Sequence, residues 1–258
     1  MKRELIAALF FLASLTLVSC SKFSNGEPVT EQRTVGHFET LCMFSNVNVN
    51  LKHSSQPHLE LTCPKNLIDK VTTEIEGDTL IIRNENEYNW LRSFDYSIDL
   101  TVYYDSLRQI NFASVGDLRS TEPIKGSGEQ SIDSTALGID TLMIRCFNLN
   151  INEGCGDIDL TFDCNVVKSY FTNGTSQVTL RGTAEYTEII MRSYGVVHAE
   201  NLYSNFVRVQ SHSTNDAYVW ARTKLTVWLN SIGNVYYKGN PWIVKDGTGD
   251  GQVIKLEP

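Results

Sequence analysis

The feature that most constrains this chain is a recurring corner. A few small residues followed by a β-branched or apolar one return as Ser114-Val115-Gly116-Asp117-Leu118, Gly154-Cys155-Gly156-Asp157-Ile158, Asn173-Gly174-Thr175-Ser176-Gln177-Val178, Ser193-Tyr194-Gly195-Val196-Val197, Ser213-Thr214-Asn215-Asp216-Ala217-Tyr218-Val219 and Ser231-Ile232-Gly233-Asn234-Val235. The anchors Ile158, Val178, Val197, Val219 and Val235 follow at steps of 20, 19, 22 and 16, and the 40 residues from Leu118 to Ile158 leave room for two more turns. Short apolar strands lie between corners, Phe206-Val207-Arg208-Val209 among them. About twenty residues per turn with small-residue corners is what a parallel β-helix needs, since each coil buries its inward residues against the coils above and below. An antiparallel sandwich or barrel also spaces strands at about 8–12 residues and is the alternative. The scarcity of Asn-Gly hairpin turns in the folded domain, where Asn173-Gly174 is the exception, favours the solenoid.

Before the repeat, Asn46–Leu51, His58–Thr62 and Tyr96–Val102 alternate polar and apolar, the period of half-buried strands. Only Pro64–Glu74 has helical spacing, enough for a turn or two, and Gly77-Asp78 reads as a turn ahead of Thr79–Arg83. The expectation is an all-β chain with very little helix.

The first 33 residues stand apart. Lys2 and Arg3, the apolar run Leu5–Val18 and small Ser19 have the layout of a secretory signal, and the run is too short to span a bilayer comfortably. Leu17-Val18-Ser19-Cys20 matches a lipobox, so residues 1–19 are expected to be removed and Cys20 to carry the lipid that holds the protein to the membrane. Ser21 is not the Asp of an inner-membrane retention signal, which points to an outer-membrane lipoprotein. Residues 20–33 read as a lipidated tether and 34–258 as the folded domain.

The formal net charge of −8 and the absence of any basic run argue against nucleic acid as a partner. After Cys20 the cysteines are Cys42, Cys63, Cys146, Cys155 and Cys164, an odd number with no Cys-x-x-Cys pair. Export permits a disulfide, for which Cys42 and Cys63 are the pair to test; buried, unpaired thiols are the alternative. The five His are scattered, so no zinc spacing, metal site or cofactor is expected.

Asp117, Asp157, Asp159 and Asp163 lie at or after corners, with Arg119 and Arg181 near in sequence. Carboxylates converging on one outward face could act as acid and base on a polysaccharide, or simply face a ligand. The plainer reading makes them turn residues bonded to their own backbone. No Gly-x-Ser-x-Gly elbow supports a hydrolase, and Gly247-Thr248-Gly249-Asp250-Gly251 lacks the Lys and following helix of a phosphate loop. No catalytic residue is assigned. Aromatics gather in two groups, Trp90, Phe94, Tyr96, Tyr103 and Tyr104, then Tyr218, Trp220, Trp228, Tyr236, Tyr237 and Trp242; alternation points half of them inward, so most are expected to be core or coil-stacking residues, with exposed rings that stack on sugar faces or anchor protein partners as the alternative.

Three stretches resemble the bacterial family described as putative auto-transporter adhesin, head GIN domain: Phe38–Thr40 with Val47–Leu51 and Gly77–Ile82; the corners themselves; and Ser231–Pro241 with Gly247–Val253. Cys155, Tyr194 and Asn215 depart from the smaller residues usual at those corners. The resemblance implies a right-handed parallel β-helix in the cell envelope and carries no site residues. The function expected is adhesion or binding, non-catalytic, through a long, flat, acidic side facing a glycan or protein; a polysaccharide lyase or hydrolase and a structural envelope protein are the alternatives.

Overall fold

The computed structural model describes residues 25–87, 96–131 and 143–257, and these are nearly all strand. The signal peptide, Cys20, Trp90 and Phe94 lie outside the described residues. One sheet of 18 strands curls on itself, and the only described helix is a 3-10 turn at Ile68–Lys70.

The regular part starts at β11 (Met143–Ile151) and runs through β12 (Ile158–Phe171), β13 (Val178–Met191), β14 (Val197–Ser211), β15 (Ala217–Leu229), β16 (Val235–Lys238), β17 (Trp242–Asp246) and β18 (Val253–Lys255). Each pairs in parallel with a strand about one repeat later. Ile158, Val178, Val197, Ala217, Val235 and Val253 are successive partners, at steps of 20, 19, 20, 18 and 18. Val219, two residues further along the same strand, is not the partner, which accounts for the uneven steps of 22 and 16 counted from sequence.

The pairings form two ladders. In ladder A lie the second halves of the long strands, with Val167, Thr187, Val207 and Leu225 facing inward; in ladder B lie the first halves, with Val178, Val197, Ala217 and Val235 inward. Corners join A to B, and there the backbone of one level rests on the next. A Cβ on Gly156 would overlap the Gly116 carbonyl, and one on Gly251 the Gly233 carbonyl. Small residues recur because nothing larger fits between levels about 4.8 Å apart.

Earlier levels are visited out of order. β2 (Thr40–Ser45) and β3 (Asn48–His53) form a level between β6 (Thr79–Asn84) with β7 (Asp99–Tyr104) on one side and β8 (Gln109–Ser114) with β9 (Leu118–Ser120) on the other, all parallel. Leu118 then pairs directly with Ile158, so the 40-residue gap holds one level, not the two expected. The surplus chain includes β10 (Gly128–Ser131), an antiparallel partner of β11.

Both ladders are closed at the first end by antiparallel strands: β5 (Val71–Glu76) on β6, β4 (His58–Pro64) on β7, and β1 (Pro28–Thr34) on β4. All of β1 but Thr34 falls within the segment read as a tether, and its seven residues are all paired, so the folded body begins near Pro28 rather than at residue 34. Arg33 locks it down, its guanidinium donating to the carbonyls of Val71 at 2.6 Å and Ile68 at 3.3 Å. At the other end the inward positions of the last level are taken partly by Lys245 and Lys255, which register places beside Val227 and Tyr237. Their ammonium groups fold onto the Gly251 carbonyl at 2.9 Å and Asn240 Oδ1 at 2.6 Å. Inward-placed lysine at an edge discourages another strand from adding.

Candidate functional site

Two outward surfaces carry chemistry. On the early half of ladder B an open cleft of about 570 Å³ is lined by Asn50, Thr101, Asp117, Arg119, Asp159 and Arg181. Each of its two corner carboxylates is matched by a guanidinium: Arg119 lies 3.0 Å from Asp117, and Arg181 pairs with Asp159. Asp157 is exposed and does not line the cleft.

The corner Asp and Asn do serve the backbone, but the backbone of the next level rather than their own. Asn48 Oδ1 accepts from the Asp117 N–H at 3.1 Å and Asp117 Oδ1 from the Asp157 N–H at 3.0 Å. Further along, Asp216 accepts from the Asn234 N–H at 2.8 Å and Asn234 from the Gln252 N–H at 2.9 Å. The ladder arises because the same turn position recurs once per level and the next amide sits directly above it. Acid–base hydrolysis needs two carboxyl groups flanking one bond; here Asp117 and Asp159 each face an arginine, and Asp99, the third carboxylate lining the cleft, accepts from the Asn48 amide at 2.9 Å. Among the described residues no three His, Cys, Asp or Glu side chains are placed to hold a metal ion.

The Cys42–Cys63 disulfide weighed from sequence is not formed, and both are free thiols. They lie in different ladders: β2 pairs with β6 and β8, β4 with β1 and β7. Cys42 Sγ takes the Asn111 amide at 3.3 Å, while Cys63 is buried and its thiol pKa is pushed up by that burial. A nine-residue spacing is about half a level, so Cys146 sits on ladder A, Cys155 at an exposed corner, and Cys164 toward the far end of ladder B, its pKa pushed up to about 12 by burial.

Most of the late aromatics point outward rather than into the core, and several of them stack from level to level, the coil-stacking half of the expectation. Alternation shows why: Trp228 lies between buried Val227 and Leu229, and Tyr218 between Ala217 and Val219. His198, Tyr218 and Tyr236 stack along ladder B, with ring centroids 4.8 and 4.9 Å apart and planes within 10°. Rings so stacked spend their faces on one another, which leaves edges and hydroxyls for solvent.

Ladder A has a different outer surface. One row runs Tyr186, Phe206, Lys224, Trp242; the next runs Lys168, Glu188, Arg208. The Arg208 guanidinium lies 4.6 Å from the centre of the Trp228 ring and the Lys224 ammonium 5.2 Å from that of Trp242. Glu188, 7% exposed, sits 3.3 Å from Arg208, and Tyr170 Oη donates to it at 3.4 Å. Burial, the Glu188 charge next, pushes the Tyr186 pKa up to about 12. No sequence signal marked Glu188, Arg208 or Lys224; the twenty-residue register, once known, aligns them.

These features define an all-β domain of stacked, mostly parallel strands. Residues 37–241 match the family described as putative auto-transporter adhesin, head GIN domain, and the chain belongs to that family. A solved structure of a putative adhesin from Bacteroides fragilis NCTC 9343 is similar, with 19% identity, 89% of this chain and 97% of that one covered, and a TM-score of 0.74. A putative adhesin from Parabacteroides distasonis ATCC 8503 has 16% identity, coverage of 90% and 98%, and a TM-score of 0.61. One from Parabacteroides merdae ATCC 43184 has 19% identity, coverage of 91% and 98%, and a TM-score of 0.58. At these identities the likeness is one of fold. No curated protein matches the chain. No described helix is long and apolar enough to cross a membrane.

Proposed function

We propose that the protein is an outer-membrane lipoprotein whose right-handed parallel β-helix is a non-catalytic binding domain of the adhesion type. The parallel register from β11 to β18 supports the solenoid, and right-handedness is the rule for parallel crossovers. Residues 1–19 act as the signal peptide and Cys20 bears the lipid. With β1 starting at Pro28, the link from Cys20 spans under about 30 Å, so the domain works close to its membrane.

The observation that carries the non-catalytic reading is the pairing of Asp117 with Arg119 and of Asp159 with Arg181, because carboxylates held this way are not poised as an acid and a base on one bond. The adhesin description of the similar structures agrees with it. The test is a glycan and matrix-protein binding screen with the chain lacking residues 1–20, which retains every described strand. Specific binding without turnover is expected; cleavage of a polyuronide by the same preparation would overturn the reading. Cys20→Ser is expected to abolish incorporation of a labelled fatty acid.

A further inference from the structure

The outer face of ladder A is a cationic and aromatic island on a protein of net charge −8. Lys168, Arg208 and Lys224 project from β12, β14 and β15; of the carboxylates on this face, Glu188 on β13 is buried against Arg208, and Asp246 stands exposed beside Trp228 on the last level. Two of the cations are held ready: Arg208 rests on Trp228 and Lys224 on Trp242. Long side chains fixed in this way have lost rotamer freedom before any partner arrives, which lowers the entropic cost of binding. Tyr, Trp, Phe and Arg are also the residues enriched where protein partners are gripped. A sugar platform needs open ring faces, and a cation already covers one face of each of these two Trp rings.

We propose that this face docks an acidic polypeptide segment of a partner protein, its carboxylates meeting Lys168, Arg208 and Lys224 and its apolar side chains meeting Phe206, Trp228 and Trp242. The occupant is chosen by charge complementarity. The inference deepens the binding-domain reading and rests on it, but it places contact on a cationic side where the sequence had pointed to an acidic one.

The probe is a soluble random copolymer of glutamate and tyrosine, with polygalacturonate as the glycan comparison, titrated against the chain lacking residues 1–20 by surface plasmon resonance. Copolymer binding is expected to weaken at least about tenfold in the Lys168→Glu, Lys224→Glu double variant and again from about 0.1 to 0.5 M salt. Trp242→Ala, at a side chain 69% exposed on the last level, is expected to weaken binding with no change in thermal unfolding. Absent copolymer binding, binding unchanged in the charge-reversed variant, tighter binding to polygalacturonate, or self-association that masks the face in sizing would each overturn the inference while leaving the domain a binder elsewhere. Cleavage of the polygalacturonate would instead overturn the binding-domain reading itself.

Discussion

From Ile158 onward each strand lies in parallel on the strand about twenty residues later, whereas before Ser131 the levels are out of chain order and closed by antiparallel strands. The late half is fastened by repetition: corners touch backbone to backbone, inward rows are mostly aliphatic, and on ladder B aromatic rings stack from level to level. The early half is fastened by particular side chains. Arg108 joins Glu39 at 3.0 Å and Asp78 across the point where the chain passes from β7 to β8; His37 joins Asp105 at 2.9 Å beside it. Outward rows differ too. Asn150 donates to Asn111 at 2.9 Å in the early part of ladder A, where the later levels carry Tyr170, Arg208 and Trp228. Repetition secures the fold where levels follow the chain, and specific ion pairs secure it where they do not.

The largest effect should come from asking each half to accept one methyl group. Gly182 has φ +99 and a Cβ there would overlap the Phe162 carbonyl of the preceding level; Gly77, in the β5–β6 turn, has φ +63 and open space around it. We expect Gly182→Ala to cost about 3 kcal/mol and Gly77→Ala about 1 kcal/mol, read as the shift in urea unfolding. Equal costs would show that the late levels can spread, and the contrast between the halves would fail.

Next in size is Asp117, at the boundary between the two regimes. Asp117→Ala removes the acceptor for the Asp157 N–H and should cost about 1 kcal/mol, while Asp117→Asn keeps an acceptor and should cost under half of that. A loss as large in the Asn variant would mean that the ion pair with Arg119, rather than the inter-level bond, is what matters. At the late end, Lys245→Val with Lys255→Val should change stability by within about 0.5 kcal/mol yet turn a monodisperse protein into larger species on a sizing column. No change in size would mean that repetition alone does not make the end adhesive.

The same contrast decides what could be read from sequence. The corners gave the step because a level that rests its backbone on its neighbour must keep small residues there. Val219 was a false partner because Ala217, Val219 and Ala221 all face inward, and a period of two does not say which of them begins the level. One level was mistaken for two between Leu118 and Ile158, since an antiparallel insertion such as β10 is made of the same strand-forming residues. The position of β2 and β3 between later strands has no local signature at all; it depends on crossovers such as the Arg108 N–H reaching the Glu39 carbonyl at 2.8 Å. Asp117 and Asp159 were legible as corner residues, and Arg119 lies two residues from Asp117 in the chain, but Arg181 meets Asp159 only because register sets β12 and β13 side by side. The ladder A face was illegible because Lys168, Glu188, Arg208 and Lys224 are far apart in sequence and align only through that register.

The smallest effect should appear in the early half alone. The hydrogen bond to Asp105, reinforced by the charges of Asp105, Glu39 and Asp78 and opposed by slight desolvation, holds the His37 pKa above its ordinary value. A histidine whose pKa is higher folded than unfolded adds stability that is fully present below the unfolded value of about 6.5 and is lost as pH rises through the folded one. Because His37 is largely exposed the gain should be only a few tenths of a kcal/mol, and salt should erode it. Between about pH 5.5 and 8.5, hydrogen exchange should quicken at the amides of β2 and β8, which flank this cluster, and stay level in β13 and β14 once the intrinsic rate is removed. His37→Gln should flatten the early response and leave the late one alone. If the two halves answered pH together, they would be opening as one cooperative unit, and a boundary between a pinned half and a repetitive half would describe how the chain is built without describing how it comes apart.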